Sequence, residues 1–92
     1  MRSPLCVVVL SMLEHQPLLA HEVARELESR GLTEAGTGFP CALATLERLS
    51  GANLIRRRRP YGPDGRIALT HRGLSELRLQ RMLWRRVRFS NG

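Results

Sequence analysis

The stretch LIRRRRPYGPDGRIALT, residues 54–70, decides the fold of this chain. Two short runs, LIRRRR and RIAL, flank residues 60–65, a segment made largely of residues that favour turns, so the pattern predicts a β-hairpin. Side chains alternate between the two faces of a strand, and a hairpin lying flat on a core would bury Arg57 or Arg58 without a partner, which is costly. We therefore expect the hairpin to project from the domain beyond Ile55, with both faces in water.

The run of four arginines before the turn has two interpretations. A charge run is commonly a solvated surface, but two short strands alone are marginally stable in water, which favours a partner that docks on the tip. Residues 1–47 carry three arginines against six glutamates, a net charge of −3, whereas residues 48–92 carry twelve arginines against two carboxylates, a net charge of +10. One strongly basic half is typical of a protein that contacts nucleic acid through a single face.

Three helices are predicted upstream of the hairpin. Ser3 and Pro4 match an N-cap and a first helical position, and Gln16-Pro17 ends this first helix. Segment 20–31 repeats apolar residues at helical spacing, and Gly31 suits the position after its end. The apolar residues expected to be buried on this second helix are Ala20, Val23, Ala24 and Leu27.

The third helix is predicted over about residues 39–50. Its inward face is expected to contain apolar side chains, namely Phe39, Ala42, Leu43, Leu46 and Leu49. Its opposite face carries mostly small side chains, which let a helix approach another surface closely: Cys41, Ala44, Thr45 and Arg48. After the hairpin, Thr70 is the expected cap of a last helix with interleaved apolar and arginine positions.

The order of these elements predicts a mainly α fold with a small β-hairpin, the winged helix-turn-helix with three helices, a two-stranded wing and a C-terminal dimerisation helix. Residues 1–70 are expected to form the DNA-binding domain, and residues 71–92 the dimerisation helix and a short tail. The residues expected at the dimer interface are Leu77, Met82, Leu83 and Val87.

Three segments resemble the PadR-type winged-helix transcriptional repressors: QPLLAHEV (16–23), LATLERLSGANLI (43–55) and IALTHRGLSEL (67–77). They are similar to the family's Gly-Pro-Leu-His-Gly-Tyr-Glu-Leu turn, its Tyr-Pro-Ala-Leu-Arg-Arg-Leu recognition helix ending in Gly-Leu-Ile, and its Tyr-Arg-Leu-Thr-x-x-Gly exit from the wing. The gapless match puts Cys41 at the family's threonine, Leu43 at its tyrosine and Ala44 at its proline. Matching GTGFP (36–40) to the family's Gly-Thr-Leu-Tyr-Pro would instead need about three extra residues inside a helix.

The resemblance implies a homodimeric repressor in a bacterial cytoplasm that binds double-stranded DNA at a pseudo-palindromic operator. The third helix would then enter the major groove through Cys41, Ala44, Thr45 and Arg48, with the wing against the adjacent backbone or minor groove. The wing residues expected at the DNA are Arg56, Arg57, Arg58, Arg59, Tyr61 and Arg66. A second interpretation is a winged-helix module that uses its basic face to bind an acidic protein partner.

Trp84, the only tryptophan, lies near the end of the last helix. One interpretation is an aromatic that fills the dimer core. The other follows from the resemblance, because some small PadR-like repressors place a tryptophan at a similar point, where two copies hold a flat effector between them. The arginines around Trp84 favour a neutral or anionic aromatic ligand over a cationic one.

No enzyme activity, metal or cofactor is expected. His15, His21 and His71 lack metal-ligand spacing with each other or with the cysteines, and no strand is followed by a glycine-rich phosphate loop. The longest apolar run, residues 5–10, is too short to span a membrane. Cys41 is interpreted as a small residue facing the groove, with a redox switch as the less favoured alternative.

Overall fold

The computed structural model describes residues 3–57 and 65–90, with only the backbone described in residues 87–90. The elements are α1 Pro4–His15, α2 Ala20–Ser29, α3 Gly38–Gly51, β1 Ile55–Arg57, β2 Ile67–Leu69 and α4 His71–Ser90. The predicted order of three helices, a hairpin and a last helix is therefore confirmed.

The helix ends follow the local sequence signals. Ser3 Oγ accepts a hydrogen bond from the Cys6 N–H at 3.4 Å, which caps α1. Gly31, just beyond α2, has a φ of +72°, a conformation that glycine adopts without a Cβ penalty. Thr70 Oγ1 accepts from the Gly73 N–H at 3.0 Å at the start of α4. These three predicted helix boundaries are confirmed.

A hydrophobic core joins the four helices to the base of the hairpin. Its largest fully buried side chains in the described ranges are Leu10, Leu27, Leu49, Leu54, Leu77, Val9 and Val23. The predicted place of Leu77 at a dimer interface is wrong, because this side chain is 0% exposed within its own chain. The reason is that α4 packs on α1 and β2.

Helix α3 packs a different face on α2 than the sequence predicts. The side chains at positions 42, 45, 46 and 49 are buried, whereas Phe39 is 47% exposed and Leu43 is 36% exposed. The predicted burial of Phe39 and Leu43 is therefore wrong. So is the predicted exposure of Thr45, whose side chain is 5% exposed.

A close approach of α2 and α3 explains this rotation. A Cβ atom added to Gly38 would lie 2.8 Å from the carbonyl oxygen of Ala24, closer than real Cβ contacts allow. The small side chains of Ala42 and Thr45 fit into the space between helices that approach in this way, and Leu46 and Leu49 are buried on the same side of α3. Thr45 Oγ1 donates to the Cys41 carbonyl oxygen at 2.9 Å, so the buried hydroxyl is satisfied.

Backbone hydrogen bonds attach the base of the hairpin to the domain, and β1 leaves the core after its first residue. Strands β1 and β2 pair antiparallel, with Arg57 opposite Ile67. Leu18, in the turn between α1 and α2, exchanges two backbone hydrogen bonds with Ile67, of 3.0 and 2.7 Å. Ile55 and Ile67 are buried, whereas Arg56 and Arg57 are exposed. The expectation that the hairpin projects into water beyond Ile55 is confirmed for these described residues.

The turn between α3 and β1 contains one residue with a left-handed backbone and is in close contact with a glycine of α4. Asn53 has a φ of +62°, in the left-handed region that asparagine tolerates better than most residues. Gly73 of α4 packs directly against the backbone of Leu54, where a Cβ would collide with the carbonyl oxygen. Both features lie where the chain leaves α3 and enters the wing.

Candidate nucleic-acid interface

The exposed face of α3 carries two parallel rows of side chains, each with i, i+4 spacing. The first row is Phe39, Leu43 and Glu47, and the second is Pro40, Ala44 and Arg48; all six are exposed. The first two turns of this face are apolar, and its charged side chains lie in the following turn. Sequence reasoning missed Phe39 and Leu43 as exposed residues.

The four α3 residues predicted to face a groove differ in their exposure. Ala44 and Arg48 are exposed, Cys41 is half-buried and Thr45 is buried. The i, i+3, i+4, i+7 spacing of the buried positions 42, 45, 46 and 49 is itself a regular helical stripe. The sequence was therefore compatible with this buried face as well. The large apolar side chains of Phe39 and Leu43 nevertheless favoured the other face, which is exposed in the structure.

The wing adds positive charge next to α3 in the chain. Arg56 and Arg57 are exposed and alternate between the two faces of β1. Within residues 3–57 and 65–90, Arg48, Arg56 and Arg57 form no ion pair with a carboxylate. The other predicted wing residues Arg58, Arg59 and Tyr61, like the side chain of Val87, lie outside the described residues.

Arg66 is held by the domain itself. Its Nη1 atom lies 3.2 Å from Glu22 Oε1 and 3.4 Å from the Pro17 carbonyl oxygen, which ties the end of the wing to α2. The Leu19 N–H donates to the same Glu22 oxygen at 2.8 Å and, with Arg66 nearby, holds the pKa of Glu22 below its usual value. These contacts use only Nη1, and the Arg66 side chain is 54% exposed, so its other N–H groups can still donate to a partner.

A second carboxylate organises the entry to α3. Glu28 Oε1 accepts a hydrogen bond from the Gly36 N–H at 2.6 Å, and Gly36 has a φ of +84°. The Glu28 side chain also lies against Gly38, the first residue of α3. The amino-terminal end of α3 is thus next to a carboxylate of its own domain.

The far half of α4 exposes apolar surface. Leu79 is 44% exposed and Met82 is 49% exposed, whereas Leu83 and Trp84 are half-buried. Two clefts of about 460 and 390 Å³ lie near the turn between α1 and α2, and Trp84 lines neither.

The part of the chain that the structure describes has no group of three or more His, Cys, Asp and Glu side chains that could hold a metal ion. Within the same ranges, no helix has the length and apolarity needed to cross a membrane.

Three helices, an antiparallel hairpin that projects from the core and a long final helix define a winged-helix protein. The fold is similar to that of a crystal structure of a PadR family transcription regulator from hypervirulent Clostridium difficile R20291, with a TM-score of 0.75 over 96% of this chain and 94% of that chain. The two sequences are 20% identical, so the similarity establishes a PadR-like fold. No protein-family model and no curated protein matches the sequence.

Proposed function

We propose that this protein is a sequence-specific DNA-binding transcriptional regulator that acts as a homodimeric repressor in a bacterial cytoplasm. The observation that carries the proposal is the exposure of Arg48, Arg56 and Arg57, without carboxylate partners among the described residues, on the third helix and wing of a PadR-like fold. Arginines placed in this way attract a phosphate backbone and orient the helix on it.

In the proposed complex, α3 lies in the major groove. Ala44 and Arg48 face the bases, and the half-buried Cys41 lies at the edge of this face. Arg56 and Arg57 contact the adjacent phosphates, together with the predicted wing residues Arg58, Arg59 and Tyr61. Helix-turn-helix proteins use the same division between a helix that reads bases and flanking groups that hold the backbone.

The proposed dimer forms through α4. Leu79 and Met82 present exposed apolar side chains three positions apart on one side of the helix, and covering them with a second copy removes that surface from water. Leu83 is half-buried beside them, and residues 87–90 continue the helix. A symmetric dimer would match the two half-sites of a pseudo-palindromic operator.

An effector site at Trp84 also depends on this dimer. Trp84 lines neither of the clefts described above, and in this proposal the tryptophan of a second copy lies opposite it and completes the ligand platform. The neighbouring Arg85 and Arg86 are exposed and favour a neutral or anionic aromatic ligand. Planar aromatic acids that quench tryptophan fluorescence and release operator DNA together would support the platform. Quenching without release, or unfolding of a Trp84→Ala variant, would assign Trp84 to packing.

The central test is a titration of the full-length protein with DNA from immediately upstream of its own gene, against random duplex of equal length, in rising salt. The proposal predicts nanomolar-range affinity and at least about a thousand-fold preference for an operator. Equal affinity for both duplexes would contradict it. That outcome would favour the alternative in which the basic face binds an acidic protein.

A further inference from the structure

We propose that the first two turns of α3 recognise thymine through its C5-methyl group, by apolar contacts from Phe39, Leu43 and Ala44. The proposal rests on the proposed DNA-binding function and names the base that this helix reads. It differs from the sequence prediction, which placed Phe39 and Leu43 in the core and Thr45 at the groove.

The first observation is an apolar surface that the described chain leaves uncovered. Phe39 and Leu43 lie one turn apart and are 47% and 36% exposed, with Ala44 exposed beside them. Thr45, the hydroxyl side chain nearest to this surface in sequence, is buried and donates to a backbone carbonyl. Apart from the half-buried Cys41 thiol at its edge, which is a weak donor, the exposed face of the first two turns therefore presents no side-chain hydrogen-bond donor.

The chemistry of the major groove identifies a partner for this surface. A recognition helix contacts base edges with its amino-terminal residues, and the thymine methyl is the apolar group that these edges display. Alanine and phenylalanine are among the side chains that contact it. Arg48, one turn beyond Ala44, supplies the charge that draws this face to DNA.

The positions of two carboxylates indicate that this face contacts bases and not phosphates. The amino-terminal end of a helix commonly binds phosphate, but at α3 the Glu28 side chain already lies against Gly38 and accepts from the Gly36 N–H. Glu47 is exposed one turn beyond Leu43 on the same row and would repel a phosphate there. Base edges avoid both repulsions, because they carry no net charge.

The test uses the wild-type protein and changes only the DNA. An operator is first selected from a random pool, and each thymine is then replaced by deoxyuridine, which removes the methyl and leaves pairing and phosphates intact. A contacted methyl contributes about as much as one buried carbon, so each critical replacement is expected to weaken binding about four-fold.

Variants then connect the methyl effect to the named side chains. In Phe39→Ala and Leu43→Ala proteins, the affinity ratio of thymine to deoxyuridine is expected to fall towards one at the affected positions, while the salt dependence of binding stays unchanged. Leu32→Ala is the matched control, because Leu32 is 46% exposed and lies in the loop after α2. The exposure of Phe39 and Leu43 means that both truncations spare the core, which circular dichroism verifies.

The outcomes separate the two proposals. An operator that binds selectively and equally well with deoxyuridine at every thymine would overturn the methyl contact and leave the regulator intact. A methyl effect that persists unchanged in both α3 variants would overturn the assignment to Phe39 and Leu43. The absence of any preferred sequence would overturn the proposed function, and this inference with it.

Discussion

Arg81 of α4 forms a bidentate ion pair with Glu14 of α1, in which each terminal nitrogen contacts one carboxylate oxygen. Nη1 donates to Glu14 Oε2 at 3.1 Å, Nη2 lies 2.9 Å from Oε1, and Nη2 also donates to Ser11 Oγ at 3.1 Å. The hydrogen bonds from Arg81 are the largest cause that holds the pKa of Glu14 below its usual value. Because Leu79 and Met82 lie on the same helix, this pair helps to fix the direction in which the proposed dimer surface faces.

A Glu14→Gln variant is expected to lose less stability on acidification than the wild type. Because the pKa of Glu14 is lower in the folded state, the ion pair contributes fully above the unfolded-state pKa of about 4.5, and its contribution disappears as the pH falls towards the folded-state pKa. Urea denaturation at steps from pH 7 to pH 3 should show a gap in unfolding free energy that closes on acidification. Glu34→Gln is the control, because Glu34 forms no ion pair with the described residues. A gap that stays constant would contradict the assignment.

Replacing Gly73 with alanine is expected to destabilise the protein by about 1–3 kcal/mol or more, because the new Cβ meets the backbone of Leu54 and not the end of a side chain that can move aside. The affected carbonyl accepts the Thr70 N–H at 3.1 Å, so relief of the clash disturbs the start of α4. Gly51→Ala is the matched control, since nothing lies within 4 Å of its Cβ. That change should be neutral or stabilising by up to about 1 kcal/mol. Thermal denaturation compares the two, and equal stabilities would refute the close approach.

Replacing both Arg56 and Arg57 with alanine is expected to weaken binding to every duplex. If each contacts one phosphate, the slope of log K against log salt should flatten by about 0.9 per arginine. Fluorescence anisotropy over a salt series measures the slope. Arg30→Ala is a suitable control, because Arg30, the residue after α2, is paired with Glu26 of that helix at 2.9 Å. A slope that does not change in the double variant would show that these wing arginines are only solvated.

Arg48 is expected to distinguish sequences, unlike the wing arginines. An Arg48→Ala variant should lose about 1–3 kcal/mol of binding free energy on the operator and less on random DNA, if the guanidinium contacts a guanine with two hydrogen bonds. Competition binding with both duplexes measures the difference. Equal losses on the two would assign Arg48 to the phosphate backbone.

Much of the fold was predictable because its signals are local. Ser3, Gly31 and Thr70 act on backbone groups within three or four residues, so their positions in the sequence suffice to place helix ends. The projecting wing was predictable for a similar reason. Adjacent side chains of a strand point to opposite faces, so a strand lying on the core would bury one of two neighbouring arginines, which is costly.

The interface on α3 was only partly predictable. Arg48 and Ala44 were correctly expected to be exposed, but the predicted face was rotated towards the buried Thr45. Leu77 was expected at a dimer interface, whereas it is buried in the core of its own chain. A hydrophobic pattern shows that apolar side chains recur at helical spacing. It does not show how closely the neighbouring helix approaches or which surface covers each residue.

The sequence by itself determined the order of the elements, the helix caps and the basic character of the wing, because each depends on residues that are close in the chain. Only the tertiary structure decided which face of α3 is free, because that depends on the approach of Gly38 to Ala24 in another helix. It also decided that Arg66 pairs with Glu22, 44 residues away, and that Leu18 joins Ile67 at the base of the wing. Such contacts depend on how distant segments pack, and packing follows from the shape of the whole core.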